Sequence, residues 1–212
     1  MQPFRSFSAA AAPLDQSNVD TDQIIPARFL LRPRVDGYGA LLFHDLRFSA
    51  DGSERPDFVL NRAPFRSAGI LVAAENFGCG SAREQAPWAL ADFGIRCIVA
   101  ASFGDIFYNN CIKNGLLPIV LPAETVTGLR RALQASNDPR LAVDLERQEI
   151  AGPAGRVIWF TLDPGLRQRL LHGIDDIDVT SGHAAAIERF ERENAAERQR
   201  AGLEIALVRP AR

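Results

Sequence analysis

The chain has 212 residues, 47% of them apolar and 24% charged, with a formal net charge of −2. That is enough for one large domain with a substantial core, and the near balance of charge argues against a nucleic-acid binder that relies on a basic face. No apolar run approaches membrane-spanning length. The opening Met1-Gln2-Pro3-Phe4-Arg5-Ser6-Phe7 also lacks a secretory core, so the expectation is a cytoplasmic protein with no nucleic-acid or membrane partner.

Residues 1–16 read as an opening strand or arm, with Phe4 and Phe7 spaced among polar residues ahead of an alanine run. In Asn18-Val19-Asp20-Thr21-Asp22-Gln23-Ile24-Ile25-Pro26, two carboxylates flank a threonine. They either cap the turn that follows or line a site. Residues 29–40 carry Pro33, Gly37 and Gly39, which oppose regular structure, together with Arg32, Arg34 and Asp36. Residues 48–66 form a polar connection in which Phe58-Val59-Leu60 is a candidate short strand.

Gly69-Ile70-Leu71-Val72-Ala73-Ala74 has the continuous apolar character of a buried strand, and the stretch behind it organises the chain. Glu75-Asn76-Phe77-Gly78-Cys79-Gly80-Ser81-Ala82-Arg83-Glu84 leads into Gln85-Ala86-Pro87-Trp88, after which Ala86, Leu90 and Phe93 fall at helical spacing. Proline is tolerated only in a helix's first turn, so Pro87 predicts a helix that starts near Arg83 or Glu84. Residues 78–82 then stay an irregular loop with free N–H groups, an arrangement that suits an anion, and Ser81 and Arg83 project from its rim. Ser81-x-x-Glu84 equally matches a capping box, in which the serine only satisfies a backbone donor. The loop lacks the third glycine of the dinucleotide fingerprint and the Gly-Lys-Ser/Thr of a P-loop.

The pattern then repeats. Residues 94–101 are a second buried-strand candidate, Ser102-x-x-Asp105 opens a helix through Lys113 that Asn114-Gly115 closes, and 116–121 are a third strand. A further helix follows from Pro122 to about Ala135, and this alternation predicts parallel crossover units. Residues 141–145 and 157–161 alternate apolar and polar around the turn Gly152-Pro153-Ala154-Gly155 and predict an antiparallel hairpin-like addition. A helix through Leu170-Leu171 stops at Gly173, and 182–200 form a charged helix with Ile187 and Phe190 on one side and a solvated charge run. The three cysteines, Cys79, Cys97 and Cys111, lack a C-x-x-C pair, which argues against a disulfide framework or a self-contained metal or cluster site. Cys97 and Cys111 read as small core residues.

Read together, these segments resemble the small subunits of 3-isopropylmalate dehydratase, the isomerase of leucine biosynthesis, which are similar to the swivelling domain of aconitase. Asn18 to Pro26 looks like the family's opening motif and Glu75 to Glu84 like its central one. Ser102-Phe103-Gly104-Asp105-Ile106-Phe107-Tyr108-Asn109-Asn110 with Asn114-Gly115-Leu116-Leu117-Pro118 looks like its third. The resemblance implies an α/β protein with a three-layer β/β/α swivelling fold, one domain over 1–200 and a C-terminal tail over 201–212. It implies dehydration and rehydration of an alkylmalate as half of a heterodimer, with a [4Fe-4S] cluster on the large subunit and no metal held by this chain. Carried over motif by motif, Ser81 would remove the proton beside a carboxylate, Arg83 would grip a substrate carboxylate with its two-pronged fork, and Asp22 would orient them.

The sequence departs from the family pattern in two places. Ala82 and Gln85 stand where the central motif more usually has a serine and a histidine. Val35-Asp36 precede Gly37-Tyr38-Gly39 where an arginine and a threonine are usual, which leaves Arg34, one position earlier, as the loop's substrate-binding candidate. That loop is linked in the family to the substrate's side group, so a related diacid such as methylmalate or dimethylmalate stays open as substrate, as does a non-catalytic anion-binding module.

Overall fold

The computed structural model describes residues 1–200; the tail expected at 201–212 lies outside the described residues. The chain divides into two units, Met1–Ile174 and a second that begins at Asp175.

The first unit is built on a seven-stranded sheet in the order β4-β3-β2-β1-β5-β6-β7. Its parallel half comprises β1 (Phe7–Pro13), β2 (Ile70–Val72), β3 (Cys97–Ala100) and β4 (Leu117–Val120). Beyond β1 the sheet turns antiparallel through β5 (Arg140–Asp144), β6 (Glu149–Ala151) and β7 (Val157–Trp159). Because successive strand residues face opposite ways, the central strands feed two cores. Leu71, Ile98 and Ala100 join the first, together with Ala86, Leu90 and Phe107. Ile70, Val72 and Val99 join the second, with Leu129 and Leu133 and with Leu141, Val143 and Ile150 of the antiparallel half. The result is a mixed α/β fold whose curled sheet joins the parallel crossover units and the antiparallel addition that the sequence predicts.

Two helices follow successive parallel strands, α3 (Gln85–Phe93) after β2 and α4 (Asp105–Lys113) after β3; α1 (Thr21–Ile24) and α2 (His44–Arg47) are single turns earlier in the chain. α5 (Ala123–Ala135) starts behind Pro122, and α6 (Pro164–His172) is capped by the Asp163 carboxylate and ends at left-handed Gly173. No described helix is long and apolar enough to cross a membrane.

Three expectations are corrected. Phe58-Val59-Leu60 is not a strand: Val59–Asn61 form a 3-10 turn. The buried Asn61 amide donates to the Arg47 and Arg55 carbonyls at 2.7 and 2.9 Å, which curls the backbone where a strand would extend it. The residues 141–145 and 157–161 do not pair directly, because β6 lies between β5 and β7; its three residues are too short to show an alternation. Ser102 does not cap α4, whose N-cap Gly104 offers no side chain; the Ser102 hydroxyl instead accepts from the Asn76 N–H at 2.8 Å.

The second unit carries α7 (Asp176–Ser181), capped by the Asp175 carboxylate, and α8 (Ala184–Arg200). Helix α8 exposes Phe190 along with its charged residues.

In the first unit, Arg28 holds both carboxylate oxygens of Asp45. This hydrogen bonding keeps the Asp45 carboxyl down at about 2. A depressed folded-state pKa means that the pair's small contribution is fully present above the ordinary aspartate pKa near 4 and is lost as pH falls towards 2. Asp45→Asn should therefore lower the urea midpoint slightly at pH 6, and the difference from the parent should shrink below about pH 4.

Candidate active site

In open α/β sheets ligands bind beyond the carboxyl ends of the strands. At that end, the loops after β1, β2 and β3 continue to pair with one another after the sheet stops. Asn18 N–H donates to the Glu75 carbonyl at 3.0 Å, Gly78 N–H to Val19 at 2.7 Å and Thr21 N–H to Cys79 at 2.9 Å. On the other side, Phe77 N–H donates to Ser102 and Gly104 N–H to Phe77, both at 3.0 Å. Asn18 and Asn76 both adopt left-handed backbone, with φ of 55°, and their side chains are bonded at 2.8 Å. Asparagine tolerates this region better than most residues, so each turns its loop and ties it to the other.

Two glycines let the central loop nest against α4. Gly78 has φ of +73°, and a Cβ there would lie 2.2 Å from the Phe107 ring. A Cβ on Gly104 would lie 2.6 Å from the Gly78 carbonyl oxygen. No side chain fits at either crossing.

The opening motif's two acids divide their work. Asp20 caps α1 in a full capping box with Gln23, so the capping role is real for it. Asp22, one residue into that helix, forms an ion pair with Arg83 from the central loop. The buried Thr21 between them donates from Oγ1 to the Ser81 carbonyl at 2.9 Å. The opening motif therefore holds the central loop at Ser81 and at Arg83 at once.

Ser81 is not a cap. The N-cap of α3 is Glu84, without a side-chain cap bond. This agrees with the start inferred from Pro87, which occupies the first turn. The Ser81 hydroxyl is exposed and makes no hydrogen bond among the described residues. The N–H groups of Gly80, Ser81 and Ala82 likewise donate to nothing among the described residues. Arg83 is largely buried, with a side chain 15% exposed against 53% for Asp22. The arrangement offers a free hydroxyl, free backbone donors and a fixed guanidinium within one turn of chain. Such groups can stabilise an oxyanion and bind a carboxylate.

Arg34 stands apart from this trio in its contacts. Its guanidinium lies 4.6 Å from the ring centroid of Trp88, on α3. The base of its loop is held by Tyr38, whose N–H donates to the Asp92 carboxylate at 2.9 Å and whose hydroxyl donates to the Arg32 carbonyl at 2.7 Å. Sequence reasoning named Ser81, Arg83, Asp22 and Arg34 but missed Thr21, Asn18, Asn76 and Trp88. The two asparagines carried a signal, since asparagine is enriched where a turn needs positive φ. Thr21 carried none, because its bond spans sixty residues.

Burial pushes the thiols of Cys97 and Cys111 well above the ordinary cysteine range, and Cys79 lies elsewhere, in the central loop. Among the described residues, no group of three His, Cys, Asp or Glu side chains is placed to hold a metal ion. These residues do not fit a [4Fe-4S] cluster.

The parallel half of the α/β sheet thus ends in three interlocked loops that carry Ser81 and the Arg83–Asp22 pair. The family model described as the aconitase C-terminal domain matches residues 1–124. A crystal structure of 3-isopropylmalate dehydratase from Methanocaldococcus jannaschii superposes with a TM-score of 0.63 at 26% identity, covering 87% of this chain and 98% of that one. The 3-isopropylmalate dehydratase small subunit of Gluconacetobacter diazotrophicus is 54% identical over 191 residues, covering 90% of this chain and 92% of that protein. The subunit of the same name from Agrobacterium fabrum is 50% identical over 198 residues, covering 93% and 98%. The chain belongs to the 3-isopropylmalate dehydratase small-subunit family.

Proposed function

We propose that this chain is the small subunit of a cytoplasmic 3-isopropylmalate dehydratase. With a large subunit it interconverts 2- and 3-isopropylmalate by removing water and adding it back at the neighbouring carbon, a step of leucine biosynthesis. The observation that carries the reading is the Arg83–Asp22 pair tied to the loop that presents Ser81.

The hard step on this side is taking a proton from a carbon beside a carboxylate. Ser81 Oγ is the base, and as an alkoxide it needs stabilisation that a serine in water lacks. The free N–H groups of residues 80–82 and the Arg83 guanidinium supply it. Arg83 also binds a substrate carboxylate. Asp22 holds the fork before substrate arrives and then orients it, since an arginine has donors enough for two carboxylates. Arg34 reads the far end of the substrate. A [4Fe-4S] cluster held by the large subunit would supply the Lewis acid for the departing hydroxyl.

A second reading keeps the chemistry and changes the substrate to a smaller alkylmalate. It is favoured by Val35, which stands 92% exposed in the specificity loop where an arginine is usual. The test is activity of the chain, alone and then mixed anaerobically with the large subunit of its own organism, on isopropylmalate, methylmalate and dimethylmalate. Turnover only in the mixture, greatest on isopropylmalate, is the expected result, and Arg83→Lys should cut kcat/KM about 10- to 100-fold by losing the planar fork. A preference for a smaller diacid would select the second reading. No turnover on any of them by a demonstrated complex with an intact cluster would leave an anion-binding module.

A further inference from the structure

Arg34 is an unusual cation. Among the described residues its guanidinium makes no ion pair and no hydrogen bond, yet it is not loose. It lies over the indole of Trp88, and the same indole meets the Tyr38 ring edge-on, with centroids 5.9 Å apart and planes at 69°. A cation–π contact holds a guanidinium over a ring without a hydrogen bond, so the donors of Arg34 stay free among the described residues. A cation held in this way is ready to meet an acceptor that arrives from outside.

The indole is itself fixed. Trp88 Nε1–H donates to Asn114 Oδ1 at 2.9 Å, and the Asn114 amide donates to the Asn110 carbonyl at 2.9 Å and to Glu84 Oε1 at 3.4 Å. Glu84 is the N-cap of α3 and directly follows Arg83. A continuous line of contacts thus runs from Arg34 through Trp88 and Asn114 to the helix start that carries the carboxylate grip. The loop's base is clamped to the same helix: Tyr38 is buried, and Gly39 packs so closely on α3 that a Cβ would lie 2.5 Å from the Asp92 carbonyl oxygen. The flanking Leu31 and Val35, by contrast, are 97% and 92% exposed.

We propose that Trp88 is a positioning residue for substrate selectivity: with Asn114 it sets where Arg34 stands when it meets a substrate carboxylate, and so how much room the loop leaves beside that carboxylate for the alkyl group. The inference rests on the dehydratase reading above and adds a residue to it. Trp88 does not touch substrate; it acts through Arg34.

The test uses the reconstituted complex and the ratio of kcat/KM for isopropylmalate to that for methylmalate. Trp88→Leu should shift this ratio about fivefold, which corresponds to about 1 kcal/mol at 1.4 kcal/mol per tenfold. Trp88→Phe keeps an aromatic face for the guanidinium and should hold the ratio within about twofold. Arg34→Gln should shift the ratio as much as Trp88→Leu, and the double variant should shift it no further, the signature of two residues acting as one. A role in core packing alone would lower the thermal midpoint and scale both substrates equally, leaving the ratio where it was.

The contact itself is read in the free chain. In a Trp159→Phe background, Arg34→Gln should alter the Trp88 fluorescence and Arg32→Gln should not. An unchanged ratio in an active Trp88→Leu complex, or fluorescence blind to Arg34, overturns the proposal and leaves the dehydratase reading standing. A parent complex inactive on every diacid overturns the dehydratase reading and this proposal with it.

Discussion

Ser81→Ala is expected to lower kcat of the reconstituted enzyme by about 10²- to 10⁴-fold, the range for losing a positioned general base. The chain should nevertheless fold as before. The reason lies in how the structure uses Ser81. Its carbonyl, which alanine retains, accepts the Thr21 hydroxyl at 2.9 Å, whereas its own hydroxyl is exposed and makes no hydrogen bond among the described residues. An exposed group of this kind changes stability by no more than about 0.5 kcal/mol when removed. A capping serine would cost about 1 kcal/mol, but the cap of α3 is Glu84. Turnover and urea midpoint, measured on the same preparation, decide the role. A fall in activity with an unmoved midpoint supports the base. Unimpaired turnover sinks it, and a fallen midpoint shows a structural part for the hydroxyl.

Much of this arrangement was legible in the sequence, and the exceptions follow one physical rule. Features set by neighbouring residues could be read. Pro87 dated the start of α3 to within a residue or two, because proline admits so few helix positions. The apolar runs at β2, β3 and β4 and the breaks between them predicted parallel crossovers. Features set by distant partners could not. Asp20 and Asp22 are two residues apart and chemically alike, yet one caps its own helix and the other pairs with an arginine sixty-one positions away. No local pattern separates them. The resemblance of the three motifs to the dehydratase family named the same acid as one that orients Ser81 and Arg83, and the geometry adds the contact itself, an ion pair with Arg83.

The capping boxes show the same limit from the other side. Ser-x-x-Glu and Ser-x-x-Asp are local patterns, and in both cases a stronger long-range demand overrode them. Ser102 is used to stitch the loop after β3 to Asn76, and Ser81 is held out of the helix by a loop that bonds to the opening motif. Likewise Val59 and Leu60 are buried as a strand's residues would be, but the Asn61 side chain curls them.

The close crossing at Gly78 sets the second large effect. Gly78→Ala should destabilise the chain by roughly 2–5 kcal/mol, from about 1–2 kcal/mol for placing a side chain in the left-handed region and about 1–3 kcal/mol for overpacking. The Cβ would meet three atoms of the Phe107 ring at 2.2 to 2.7 Å. That ring cannot simply swing aside, since it is buried and packed edge-on to Phe77 at 5.4 Å and face-to-face with Phe103 at 6.4 Å. The Gly78 carbonyl faces Gly104 with no room for a side chain between them, so the loop cannot retreat as a unit either. The two causes separate in a double variant. Adding Phe107→Leu removes the ring and should recover the steric part, so the pair costs less than the sum of its members. The backbone part should persist. Urea unfolding of the free chain measures all three variants, and a Gly78→Ala midpoint equal to the parent's would show that the loop does not nest on α4 as described. Activity should fall along with stability, because the same crossing fixes the height of the loop that carries Ser81 and Arg83: a shift of about 1 Å at a reacting group is enough to cost about 10²-fold in rate.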